Sequence, residues 1–263
     1  MKRGSFGVWF WYCLGWLYFI VPLGGTFIFS LRAKRDTLSF LAYEHVFNDP
    51  KFWESFSFSA LMAGLTIIVS LLLIVPTVYW VQLRLPRLRP IIELMTLLPF
   101  VIPTVVLVFG LIRVYSRPPF LLTGSAFTAN ILLIAGYTVL SFPYMYRAVD
   151  TGLRAIDVRT LTEAAQSLGA SWPRILFQII LPNIRVALLS GAFLTFAIVI
   201  GELVLASFLA RPAFAPYMAL LGQNKAYEPA ALAIISFVLT WVCIGLIQFI
   251  GRGQERSQIA GVR

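Results

Sequence analysis

Five stretches of this chain carry no charged side chain over lengths that approach or exceed the roughly 20 apolar residues needed to cross about 30 Å of hydrocarbon. They cover residues 4–31, 56–83, 94–112, 118–146 and 229–251. A sixth, 186–210, is interrupted only by Glu202. Lipid offers no partner to a backbone N–H or C=O, so such segments must close their own hydrogen bonds as helices. The expectation is an all-α integral membrane protein with six transmembrane helices. Composition agrees, because 59% of residues are hydrophobic and only 12% charged, against about 25% charged in an average soluble domain. That is too little charge to coat a soluble enzyme of this length, and too much apolar surface for a disordered chain.

The net charge of +10 would point a soluble protein toward nucleic acid; here it reads as basic residues flanking membrane spans. Placing the N-terminus in the cytoplasm puts Lys2, Arg3 and eleven further basic residues inside, thirteen of the 21 Lys and Arg residues. Both termini are then cytoplasmic. The first run follows Lys2 and Arg3 but outlasts a 7–15 residue signal core, and its Trp9, Trp11, Tyr12, Trp16 and Tyr18 suit an interfacial anchor. It is expected to be a retained span. Cys13 and Cys243 fall within apolar runs, and His45 has no second His or Cys nearby, so no metal site is expected. The outside loop over 32–55 is rich in aromatics and should pack as a short interfacial helix.

The longest polar stretch, 148–185, lies inside, between spans four and five. Within it Thr160-x-x-Glu163 fits a capping box, and Leu161, Ala164, Ala165 and Leu168 follow at helical spacing. Gly169 is placed to end that helix in a left-handed conformation. Pro173 suits the first turn of a second helix running through Ile175, Leu176, Ile179 and Ile180. The pattern is a helix, a glycine turn and a helix. It can lie on the lipid surface as an amphipathic hairpin, or offer its small-residue stripe to another backbone.

The fixed residues of this elbow, Glu163-Ala164-Ala165, Gly169, Ile179, Leu181 and Pro182, match at every spacing the E-A-A-x3-G-x9-I-x-L-P loop of binding-protein-dependent ABC importer permeases. Six spans and the loop's position between spans four and five agree, so the resemblance covers roughly residues 10–250. It implies a type I ABC importer permease architecture, with 1–263 a single transmembrane domain and 148–185 a coupling loop. It implies that Glu163, Ala164, Ala165, Gly169, Ile179, Leu181 and Pro182 dock and shape that loop against an ATP-binding subunit dimer. It further implies a second, non-identical permease, a periplasmic or lipid-anchored solute-binding protein, and a bacterial inner-membrane location. The chain contains no G-x-x-x-x-G-K-[ST] phosphate cradle, so ATP and Mg would belong to the partner subunit, with no cofactor on this chain and no catalysis by it. Asp157-Val-Arg and the Leu-Gly-Ala-Ser after the motif resemble the polyamine/opine/phosphonate branch, above all spermidine/putrescine permeases. 2-Aminoethylphosphonate, ferric iron or another small solute are the alternatives.

Candidates for the pathway are fewer. Glu202 is the one acidic residue within a span, where a charge costs on the order of 3 kcal/mol. It either lines a wet pathway, pairs with Arg113 or Arg211, or hydrogen-bonds between helices. Pro99 and Pro103 remove two backbone donors from span three, for gating or for a packing kink. Tyr137 and Ser141 place hydroxyls on span four. An ion-coupled secondary transporter would need more intramembrane ionisable groups and ordinarily an internal repeat.

Overall fold

The computed structural model describes residues 5–34 and 37–260. Expectations placed on Lys2, Arg3, Arg35, Asp36 and Arg263, and on the side chains of Cys243, Arg252 and Arg256, lie outside the described residues. So does the cytoplasmic placement of both termini. Among the described residues the fold is all-helical, with one isolated bridge between Lys34 and Thr37.

Twelve helices follow in order: α1 (Ser5–Ser30), α2 (Leu41–Asn48), α3 (Pro50–Arg84), α4 (Arg89–Val101), α5 (Thr104–Tyr115), α6 (Ala126–Arg154) and α7 (Val158–Ser167). Then come α8 (Trp172–Asn183), α9 (Arg185–Gly201), α10 (Val204–Phe208), α11 (Phe214–Asn224) and α12 (Glu228–Ala260). Among the described residues, three unbroken stretches are long and apolar enough to cross a membrane: Gly7–Ala33, Pro50–Arg84 and Ala126–Arg154. α12 adds a shorter apolar stretch, Glu228–Val242.

Two expected spans are not straight rods. Span three, expected over 94–112, breaks between α4 and α5 with a bend of 99°. The break falls on Pro103: the ring disfavours helical geometry at the preceding residue, and Ile102 is extended at φ −86, ψ 116. Pro99 stays within α4. Span five, expected over 186–210, ends as a helix at Gly201, and Glu202 lies in the interruption before α10. α8 and α9 meet at 81° around Ile184.

The chain divides into two compact units, Met1–Glu54 with Tyr217–Val242, and Ser55–Pro216 with Cys243–Arg263. In the first unit the expected interfacial helix is α2. Ser30 Oγ and Tyr43 Oη lie 2.8 Å apart, and Tyr217 Oη donates to Asp49 Oδ2 at 2.8 Å. His45 Nδ1 lies 3.2 Å and Lys225 Nζ 3.8 Å from Glu228 Oε1. Burial pushes the Glu228 carboxyl upward, but its backbone hydrogen bond, His45 and Lys225 outweigh that and hold it below the ordinary carboxylate range.

The second unit has two apolar cores. One gathers Met62 and Ala63 of α3, Val108 of α5, Leu132, Leu133 and Tyr137 of α6, and Leu205 of α10. The other joins Ile74, Val78 and Tyr79 of α3 to Met145, Val149 and Leu153 of α6, and reaches into α7 and α8. α6 and α9 run together through glycines: a Cβ on Gly152 would stand 2.6 Å from Ala187 Cβ, and one on Gly191 would stand 2.8 Å from Met145 Sδ. At both points the backbones approach as closely as small residues allow.

Candidate functional site

The elbow is built from α7, a turn at Gly169, and α8. Its first cap is Asp157, not Thr160. The Asp157 carboxylate accepts from Thr160 N at 3.1 Å and from Thr160 Oγ1 at 2.7 Å, which satisfies an orphan amide of the first turn. These hydrogen bonds from Thr160 hold the Asp157 carboxyl below its ordinary range. Thr160 thus sits in the first turn, and Glu163 pairs with Arg159 one turn back at 2.9 Å. Reading the box from Thr160 shifts the helix start by one turn, because Asp157 competes for the same amide and offers a full charge.

At the other end Gly169 takes φ +77. Gly169 N donates to Gln166 C=O at 2.9 Å and Ala170 N to Ala165 C=O at 3.0 Å, the two bonds of a Schellman motif. Pro173 follows in the first turn of α8, after Ser171. Residues Ile175–Ile180 form a widened turn with Leu181 N donating to Leu176 C=O. It stands directly before Pro182, which has no N–H to give.

The face of α7 turned into the protein is Val158, Leu161, Thr162 and Ala165. The sequence phase placed Ala164 and Leu168 on that stripe; both face outward, and Leu168 is 89% exposed. The inward face is rotated because Val158 and Thr162 take it: Thr162 Oγ1 lies 2.8 Å from Tyr79 Oη of α3. From α8, Ile175 and Ile180 are fully buried in the same core. The elbow is therefore clamped to α3 and α6 and not laid on the surface as a free hairpin.

Sequence reasoning missed the rest of the clamp. Trp80 and Trp172 stack with centroids 4.9 Å apart, and the Arg84 guanidinium lies 5.3 Å and 5.5 Å from their ring centres. Each such cation–π contact is worth about 0.5–1 kcal/mol at an exposed site. The aromatic pair Tyr79-Trp80 just before a basic loop was the available signal. It reads equally as interfacial anchoring, so sequence could not choose.

The seven loop residues accordingly divide. Ala165 is buried, Ile179 and Leu181 are half-buried, and Glu163, Ala164, Gly169 and Pro182 are exposed. The result is a rigid knob with an outward face of a charge pair, small residues and one bare leucine. Pathway candidates are placed elsewhere. Tyr137 and Ser141 are buried inside the second unit, with Ser141 Oγ 2.9 Å from Ser70 Oγ. Glu202 makes neither expected ion pair among the described residues. Its two carboxylate oxygens accept from Val204 N and Leu205 N, both at 2.9 Å, so it caps α10. A groove of about 680 Å³ runs between α6 and α9 beside the elbow, with Tyr144, Arg147, Thr151 and Ser190 among its lining.

The family described as binding-protein-dependent transport system inner membrane component matches residues 80–254, more than half of the chain and the whole elbow. The putrescine transport system permease protein PotI of Escherichia coli (strain K12) is 26% identical over 154 residues, 58% of this chain and 54% of that protein. A probable molybdenum ABC transporter permease protein of Haloferax volcanii is 31% identical over 147 residues, 55% of this chain and 54% of that protein. The chain thus spans about half the length of these curated relatives. A crystal structure of a bacterial ABC transporter involved in the import of the acidic polysaccharide alginate is 19% identical, with a TM-score of 0.66 over 94% of this chain and 98% of that one. That likeness bears on fold alone. Elbow, fold and the match over residues 80–254 converge: the chain belongs to the family of binding-protein-dependent transport system inner membrane components.

Proposed function

We propose that this chain is the permease subunit of an ATP-driven importer in a bacterial inner membrane, passing a small solute delivered by a binding protein. The observation that carries the reading is the elbow: a core-locked knob whose Glu163, Ala164 and Leu168 face outward. A large apolar side chain left bare on a core-anchored support suits burial in a groove of another protein. The partner proposed for that face is a dimer of ATP-binding subunits, which hold ATP and Mg. A second, non-identical permease and a solute-binding protein complete the assembly, and both termini of this chain are cytoplasmic. The chain moves its solute and performs no covalent chemistry.

The solute proposed is a polyamine, in keeping with the relationship to the putrescine permease. Glu202, Pro99, Pro103, Tyr137 and Ser141 remain the pathway residues of the proposal, Glu202 through the α10 turn it caps. A second reading, an oxyanion, is favoured by Arg147 in the α6–α9 groove and by the molybdenum permease relative. The test is purification of the tagged chain from its native membranes, followed by reconstitution and uptake of labelled putrescine or molybdate. Co-purification of an ATPase, lost on Leu168→Asp, supports the coupling role. Retention of the ATPase by that variant contradicts it. Uptake of molybdate without putrescine transfers the solute to the second reading.

A further inference from the structure

A carboxylate taken from water must find charge or hydrogen-bond partners, and their identity tells which elements it binds together. Asp150, in the last turns of α6, is 7% exposed. Gln82 Nε2 of α3 donates to its Oδ1 at 3.1 Å, and Arg89 Nη2 at the start of α4 donates to its Oδ2 at 3.2 Å. Arg154, the last residue of α6, pairs with the same Oδ2. One turn into α4, Glu93 accepts from Arg89 Nε at 2.9 Å and lies 3.5 Å from Arg154 Nη2. Two guanidiniums and two carboxylates thus close a ring between α4 and α6, electrically balanced, with Gln82 tying it to α3.

Its position gives this ring a mechanical meaning. Arg154 is three residues before Asp157, the cap of the elbow. Arg89 and Glu93 stand on α4, the part of span three that ends at the 99° break by Pro103. These charge-assisted bonds fasten the elbow side of the unit to the start of the broken span, beside the apolar packing of Ile92 of α4 against the core that α7 and α8 share. Such bonds hold direction better than apolar contacts, which slide.

We propose that Asp150 is a positioning residue: it passes movement of the elbow to α4 through Arg89, so that α4 pivots at Pro103 when the ATP-binding subunits close. This inference rests on the coupling reading above. The ring holds α4 in register with α6, and loss of its central charge frees α4 while leaving the elbow's own core, cap and turn in place.

The test uses the full chain in complex with its ATP-binding subunits, with Cys13 and Cys243 replaced by Ser. Spin labels go on Leu97 of α4 and Phe127 at the far end of α6, both exposed, and the distance is measured without nucleotide and after trapping with ATP and vanadate. The unaltered complex should show a distance change on trapping. Asp150→Asn and the milder Arg89→Gln should keep the ATP-binding subunits bound, lose the change, and lower binding-protein-stimulated ATP hydrolysis at least tenfold. Arg89→Lys, which keeps the charge, should retain it. A full distance change in Asp150→Asn and Arg89→Gln, or none in the unaltered complex, overturns the proposal. Dissociation of the ATP-binding subunits in both variants also overturns it, because the ring would then merely fold the elbow. A chain that never co-purifies with an ATP-binding subunit refutes the coupling reading itself, and that result appears before any distance is measured.

Discussion

Gly169 and Asp157 fix the two ends of the ten-residue helix α7, and each can be challenged alone. At φ +77 no side chain crowds the Gly169 position, so Gly169→Val meets backbone strain and no clash. That strain is on the order of 1–3 kcal/mol. The variant should insert normally yet lose ATPase association, which co-purification checks; undiminished association would remove Gly169 from the coupling elbow. Asp157 carries a pH signature. Its carboxyl is depressed in the folded elbow by hydrogen bonds from Thr160. Its contribution is therefore present above the unfolded value of about 3.9 and lost as pH falls through the lower folded value. Amides 158–162 should exchange faster in Asp157→Ala than in the unaltered protein at pH 7, and the two should converge as pH falls through the depressed folded value of Asp157. An equal rate at pH 7 would show that the cap adds nothing. The glycine was legible because a left-handed turn closing a helix favours Gly over residues that carry a Cβ. The cap was misplaced by one turn because Asp157 and Thr160 are both good capping residues, and spacing alone does not rank them.

At the scale of elements, the α6–α9 pair makes the sharpest demand on sequence. Gly152 faces Ala187 Cβ, which cannot move without its helix, whereas Gly191 chiefly faces Met145 Sδ, the end of a flexible side chain. Gly152→Ala should destabilise the protein by about 1–3 kcal/mol through overpacking. Gly191→Ala should cost less, although Ala148 Cβ at 3.0 Å sets a floor. Thermal unfolding midpoints in detergent rank the two, and equal midpoints would contradict this close crossing. The helices themselves were legible because lipid leaves a charge-free run no other conformation. Their interruptions were half legible. Pro103 breaks span three while Pro99 rides inside α4, because a proline's effect depends on whether neighbouring carbonyls find other donors. The end of α9 at Gly201 was hidden by the apolar run continuing past it, and Glu202 reads as a pathway charge until its two backbone partners are seen.

At the scale of the whole molecule, the proposed function couples this membrane bundle to ATP-binding subunits on separate chains. What sequence could not supply here are contacts between residues far apart in the chain. Asp150 with Gln82 and Arg89, or Trp80 with Trp172, leave no periodic trace, since each is a single residue answering another across dozens of positions. The outward face of the elbow was likewise mis-phased, and Leu168 proved to be its most exposed apolar side chain. That residue offers the most direct test of the central claim. A single cysteine at Leu168, with Cys13 and Cys243 replaced by Ser, should react readily with a water-soluble maleimide in the isolated chain. In the complex assembled with ATP-binding subunits the account predicts at least tenfold slower labelling, and a cross-link from that position to the ATP-binding subunit. Equal labelling in both states, with no cross-link, would mean that nothing grips the elbow.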